Sequence, residues 1–175
     1  MAAFDFIIVG AGSAGCVLAA RLSEDPRNNI LLLEEGPEDD GWLFRMPKGN
    51  GKTLLSSRYT AFHPTARESA RGRETWVRGR LIGGSSSVNG MVWVRGQPED
   101  YDRIADLGNP GWSWADMAPY FKRLEDHALG ESGVRGAGGP VAITIHPSCR
   151  LGDAFVASGA ATGLKRKADL NGLDQ

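Results

Sequence analysis

The apolar positions change rhythm along the chain. Residues 4–9, Phe-Asp-Phe-Ile-Ile-Val, form a short run that is mostly β-branched or aromatic and stops at Gly10. Such a run predicts a strand buried on both faces, as in a parallel sheet. From Ser13 to Glu24 the composition turns Ala- and Leu-rich, with Cys16, Ala19, Ala20 and Ser23 at helical spacing, and Asp25-Pro26 closes the expected helix. After Asn28-Asn29 the residues Ile30, Leu31, Leu32 and Leu33 lead to Glu34 as a second buried strand. Strand, helix and parallel strand within about 30 residues make a βαβ unit.

Beyond it the rhythm weakens. Residues 36–75 are rich in Gly, Pro, Ser, Thr and Arg, the mark of an irregular stretch with a functional use. Trp76-Val77, a Gly/Ser-rich turn and Met91-Val92-Trp93-Val94 follow. Ser113 with Asp116 reads as a helix N-cap pair. Pro119 reads as an early position of that helix, which reaches about Glu125, since an interior proline would break it. Residues 130–140 form a Gly-rich loop, residues 141–145 alternate like a strand, and residues 151–161 carry a further amphipathic helix. The fold class expected is α/β with a parallel sheet.

Composition narrows the function classes. At 175 residues the chain has room for one domain, or one domain and part of another. A formal net charge of −1 gives no basic field for nucleic acid or an anionic membrane surface. Three His and two Cys are too few and too scattered for a zinc site of familiar spacing, and Cys16 reads as a small core residue. The first residues carry neither a charged n-region nor a long apolar run, so the expected location is the cytoplasm. The glycines cluster instead of recurring at a fixed period, which argues for specialised turns and against repeats.

One such turn is Gly10-Ala11-Gly12-Ser13-Ala14-Gly15, a match to G-x-G-x-x-G. Gly10 allows the sharp turn from strand to helix, Gly12 lets the backbone approach a pyrophosphate, and Gly15 permits close helix–strand packing. The free N–H groups of the helix start, at Ser13 and Ala14, then face the phosphates with a favourable dipole. Glu34, at the end of the second strand, is placed to accept hydrogen bonds from the ribose hydroxyls, and an acid there would repel the 2′-phosphate of NADP. Its neighbour Glu35 points to the opposite face. These residues leave FAD and NAD both open.

A second glycine-rich stretch, residues 78–91, holds Gly83-Gly84, Ser85-Ser86-Ser87 and Asn89-Gly90-Met91. Its apolar flanks at Leu81, Ile82, Val88 and Val92 speak against a solvated linker, and adjacent glycines allow a ligand close to the backbone. Here the sequence resembles a family. Residues 79–102, including Gly83-Gly84-Ser85-Ser86, Asn89, Trp93, Gly96 and Asp102, are similar to the first signature of the glucose-methanol-choline (GMC) oxidoreductases. Residues 8–16, Leu32-Leu33-Glu34, Gly111-Trp112-Ser113-Trp114 and residues 119–123 match the same family, in the choline-dehydrogenase-like subgroup.

The resemblance implies a Rossmann-like FAD-binding domain over residues 1–150, incomplete, with residues 151–175 opening a substrate domain. It implies oxidation of an alcohol CH–OH group by hydride transfer to flavin. It also implies flavin contacts from Gly83, Gly84, Ser85, Asn89, Gly90, Met91 and Val92, with Arg80 or Arg78 on a phosphate. Some members carry a His just before that Asn, covalently tied to the flavin; Val88 stands there, so FAD is expected to dissociate. Members are roughly three times this length, as more than one domain requires. Their catalytic His, with its His or Asn partner, falls beyond the last residue here, so no catalytic residue is expected in this chain and a complementing C-terminal chain is a possible partner.

The remaining candidates read as structure. His63, His127 and His146 are expected in loops or at the surface, and Trp112 and Trp114 as packing anchors under the following helix. The arginines at 67, 71, 73, 78 and 80, interleaved with Glu68 and Glu74, are expected on a solvated face. A small NAD-dependent dehydrogenase is a third reading, against which the segment around Gly83 and Asn89 speaks.

Overall fold

The computed structural model describes residues 3–66 and 72–172, so Arg67, Glu68 and Arg71 lie outside the described residues. The chain divides into two compact units, Met1–Val92 and Trp93–Gln175.

In the first unit, β1 (Phe6–Val9), α1 (Ser13–Leu22) and β2 (Ile30–Leu33) form the expected βαβ arrangement. The strands pair in parallel with Phe6 opposite Ile30 and Val9 opposite Leu33. Gly10 N–H continues the ladder to the Leu33 carbonyl at 2.7 Å. The strands are not buried on both faces: Ile7 is 61% and Val9 83% exposed. Among the described residues this sheet has two strands, with α1 packed against them, and the face that carries Ile7 and Val9 is exposed.

The stretch expected to be irregular holds two 3₁₀ turns (Trp42–Arg45 and Pro47–Gly49), the short helix α2 (Asn50–Leu54) and β3 (Thr60–Pro64). β3 pairs antiparallel with β4 (Thr75–Gly79). A 3₁₀ turn over Gly84–Ser87 follows. Among the described residues of this unit the buried apolar ones are Ala11, Leu81 and Val88, and all three belong to the two glycine-rich segments.

The second unit contains α3 (Pro98–Asp106), α4 (Trp114–Leu124), β5 (Glu125–His127), β6 (Val141–Ile143) and α5 (Arg150–Ala161). β5 and β6 pair in parallel. The Ser113–Asp116 capping box starts α4 as expected. Pro119, however, lies well inside the helix. Its ring removes the hydrogen bond that the Ala115 carbonyl would receive. Trp114 packs against Tyr101 at 5.4 Å and Phe121 at 6.1 Å between ring centroids. Trp112 is half-exposed and is not an anchor. No helix among the described residues is long and apolar enough to cross a membrane.

Candidate functional site

The turn between β1 and α1 is built by backbone crowding. A Cβ at Gly15 would overlap the Gly10 carbonyl oxygen, so α1 packs on the turn at a distance only glycine permits. No side chain caps the start of α1. A Cβ at Gly12 would meet nothing within 4 Å, so its face of the turn is open. Ser13 and Ala14 are exposed there.

Glu34 closes the turn from the other side. Its Oε2 accepts Ala11 N–H at 2.8 Å, and its Oε1 accepts Gly36 N–H at 3.0 Å. The carboxylate thus sits beside the glycine turn, where the spacing argument placed it.

The second glycine-rich segment lies against the first. Gly83 N–H donates to the Ala11 carbonyl at 2.7 Å. Gly84, at φ +56, approaches so closely that a Cβ would stand 2.8 Å from Gly12 Cα. Left-handed backbone and contact with another backbone make this position one for glycine alone. Ser85 Oγ accepts Gly79 N–H at 3.0 Å, and Ser87 Oγ donates to the Ile82 carbonyl at 2.9 Å. These two serines thus fold the segment on itself.

A cavity of about 260 Å³ opens beside this segment. Leu43, Phe44, Met46 and Met91 give it apolar walls; Asp39, Asn50 and Asn89 are among its polar ones. Asn89 Oδ1 accepts Met91 N–H at 2.8 Å, while Gly90 and Val92 are exposed. Arg80 donates from Nη2 to the Ser57 carbonyl at 2.6 Å, and Arg78 lies over the Trp76 ring at 4.7 Å.

This geometry has known counterparts. A family model described as GMC oxidoreductase matches residues 4–175. The chain belongs to the GMC oxidoreductase family. It is 45% identical over 174 residues to the oxygen-dependent choline dehydrogenase of Sinorhizobium fredii, covering 98% of this chain and 32% of that protein. It is 42% identical over 185 residues to the mitochondrial choline dehydrogenase of Homo sapiens, covering 98% of this chain and 31% of that one. The solved structure of pyridoxine 4-oxidase from Mesorbium loti superposes with a TM-score of 0.88 at 39% identity, over 98% of this chain and 34% of its own. The chain spans about a third of the length of the curated relatives it matches.

The cofactor of GMC oxidoreductases is FAD, and this chain is part of their FAD-binding region. The residues fit the group. An uncapped helix start offers N–H donors to a pyrophosphate. Open space at Gly12 admits it, and Glu34 supplies an acceptor at the end of β2. Val88, in place of the histidine of flavinylated GMC members, is buried.

The second unit holds a polar cluster that sequence reasoning missed. Glu125 is 0% exposed, and Arg95, His127 and Asn171 are buried. Glu125 Oε1 accepts Trp93 Nε1–H at 2.6 Å and an Arg95 guanidinium N–H; its Oε2 accepts Gly136 N–H at 3.0 Å. Burial pushes the Glu125 carboxyl up, but the Gly136 N–H, Arg95 and Trp93 together hold it below the ordinary carboxylate range. Asp169 is likewise held low: burial is outweighed by the Asn171 N–H, Arg135 and His127.

His127 was expected in a loop or at the surface, yet it is buried in β5, where its Nδ1 accepts Leu129 N–H at 3.1 Å and its Nε2 lies 3.9 Å from Asp169 Oδ2. β5 carries it inward beside Glu125. Only the charged run Glu-Asp-His that follows α4, ahead of a Gly-rich loop, could have hinted at buried pairing.

Proposed function

We propose that this chain supplies the cofactor-holding part of an enzyme that oxidises the CH–OH group of a small alcohol. The observation that carries the reading is the seating of Gly83 and Gly84 on Ala11 and Gly12, which joins the nucleotide turn to the flavin segment. Bound FAD supplies the hydride acceptor. The start of α1 at Ser13, Ala14 and Gly15 binds the pyrophosphate, and Glu34 accepts from the ribose. Gly83, Gly84, Ser85 and residues 89–92 orient the flavin, and Arg80 or Arg78 reaches a phosphate. Residues 1–150 belong to the FAD domain and residues 151–175 open the substrate domain. Two free cysteines suit a reducing cytoplasm.

None of the three histidines serves as the base in this reading. His63 sits in β3 opposite Trp76, His127 is engaged by Leu129, and His146 Nδ1 lies 2.8 Å from the Pro147 carbonyl. A base must reach the substrate hydroxyl, so it comes from outside this chain. A second reading, a nucleotide-binding piece that needs a separate chain, is favoured by the solvent-facing Ile7 and Val9 of β1.

The expected result is a protein with flavin absorbance near ~450 nm that turns over no primary alcohol with a dye acceptor by itself. Its flavin passes into the supernatant on acid precipitation. Turnover by this chain alone would contradict the missing base, and flavin kept in the pellet would contradict a dissociable cofactor.

A further inference from the structure

Met91 sits at φ +58, the single non-glycine residue with positive φ among those described. That conformation is strained for an L side chain and persists only where its surroundings impose it. Met91 is 62% exposed, so close packing does not impose it. Asn89 Oδ1 accepts Met91 N–H at 2.8 Å, a bond that relates the turn only to itself.

Two further bonds tie this stretch to residues that line the same cavity. Asn50, the first residue of α2, donates from Nδ2 to the Asn89 carbonyl at 3.4 Å. Asp39 Oδ2 stands 3.1 Å from Ser87 Oγ, in the 3₁₀ turn that leads into Asn89. The Ser87 hydroxyl has one proton, shared between that carboxylate and the Ile82 carbonyl at 2.9 Å. Asp39 stands on a firm base. Ile82 N–H donates to the Pro37 carbonyl at 3.0 Å, and a Cβ at Gly36 would overlap the Arg80 carbonyl oxygen. Residues 36–39 thus run backbone against backbone along residues 80–82. Neither the Asp39 nor the Asn50 bond is buried, so each adds little to stability. What they add is placement.

We propose that Asp39 and Asn50 are positioning residues for the flavin-facing turn. Asp39 acts through the Ser87 hydroxyl, and Asn50 through the Asn89 carbonyl. The inference rests on the reading that residues 89–92 face the flavin.

The test uses the FAD-loaded protein, with ADP as a second probe that has the adenosine and pyrophosphate of FAD and lacks the flavin. Asp39→Ala and Asn50→Ala should each raise the FAD dissociation constant about threefold, the scale of one exposed hydrogen bond. The double variant should raise it about tenfold. Each should shift the flavin visible band and midpoint potential and leave ADP affinity unchanged. Asp39→Asn, which keeps an acceptor oxygen for Ser87, should restore the wild-type values. If the double variant does not fold, the single variants carry the test.

Asn89→Ala separates the two levels. An unchanged flavin spectrum in that variant would overturn the reading that residues 89–92 face the flavin, and this inference with it. If Asn89→Ala shifts the spectrum while Asp39→Ala and Asn50→Ala do not, or if those two weaken ADP and FAD alike, positioning alone is overturned. Asp39→Asn no better than Asp39→Ala would remove Ser87 as the route and overturn the role of Asp39.

Discussion

Gly15→Ala is expected to yield little folded protein and no bound flavin. Helix propensity by itself favours alanine over glycine by about 1 kcal/mol. Against that gain, the new methyl overlaps the Gly10 carbonyl oxygen and lies 3.1 Å from the Gly10 carbonyl carbon and 3.3 Å from Ile8 Cγ2. The main obstacle is backbone, which cannot swing aside as a flexible side chain does. Moving it disturbs the Gly10 N–H bond to Leu33 that continues the β1–β2 ladder. Overpacking against a rigid neighbour costs about 1–3 kcal/mol and sometimes more. The overlap therefore outweighs propensity, with a net loss of about 2 kcal/mol in a sheet that already exposes Ile7 and Val9. Soluble yield and a circular-dichroism melt check it; a melt equal to wild type would show that the turn yields more easily than the packing implies.

Glu125→Ala is expected to destabilise the second unit by about 3–5 kcal/mol, because it leaves the Arg95 guanidinium buried without its counter-ion. Trp93 Nε1–H and Gly136 N–H lose their acceptor in the same step. The same carboxylate makes stability depend on acid. Held below its ordinary range when folded, Glu125 binds a proton more readily in the unfolded chain. Its contribution is present above the ordinary carboxylate pKa and is lost as pH falls through the depressed folded value. Asp169 acts with the same sign. Melts across the acid range should show a falling Tm in wild type and a shallower fall in Glu125→Gln. Equal slopes would remove Glu125 from the acid response.

The βαβ unit was legible because its signals are local. A β-branched run, three glycines at fixed offsets and an acid at the end of the next apolar run all lie within residues 4–34. The seating of Gly83 and Gly84 on that turn was legible only as a resemblance, since nothing local says which backbone two adjacent glycines will touch. Burial of β1 was misjudged because strand composition records what a sheet is made to meet, whereas exposure records what covers it. Pro119 was misplaced for a related reason. The Ser113–Asp116 box fixed the helix start well, but α4 runs on through Pro119 despite the lost hydrogen bond and the crowding of its ring against the Ala115 carbonyl. The cluster around Glu125 escaped altogether. Its members, Trp93, Arg95, Glu125, Gly136 and Asn171, are drawn from four separate stretches of sequence, and a lone glutamate at a helix end looks like any solvated charge.

The claim that the glycine turn holds FAD is tested most directly at Gly12. Its φ of −77 is open to any residue, and a Cβ there meets nothing within 4 Å, so alanine costs the fold nothing steric. In the proposed reading the same methyl stands where the pyrophosphate approaches the backbone. FAD titration by fluorescence quenching, with a melt in parallel, should show Gly12→Ala unchanged in Tm without cofactor and weakened in FAD affinity by about a hundredfold. Wild-type affinity in Gly12→Ala would contradict the account, because the cofactor would then lie elsewhere.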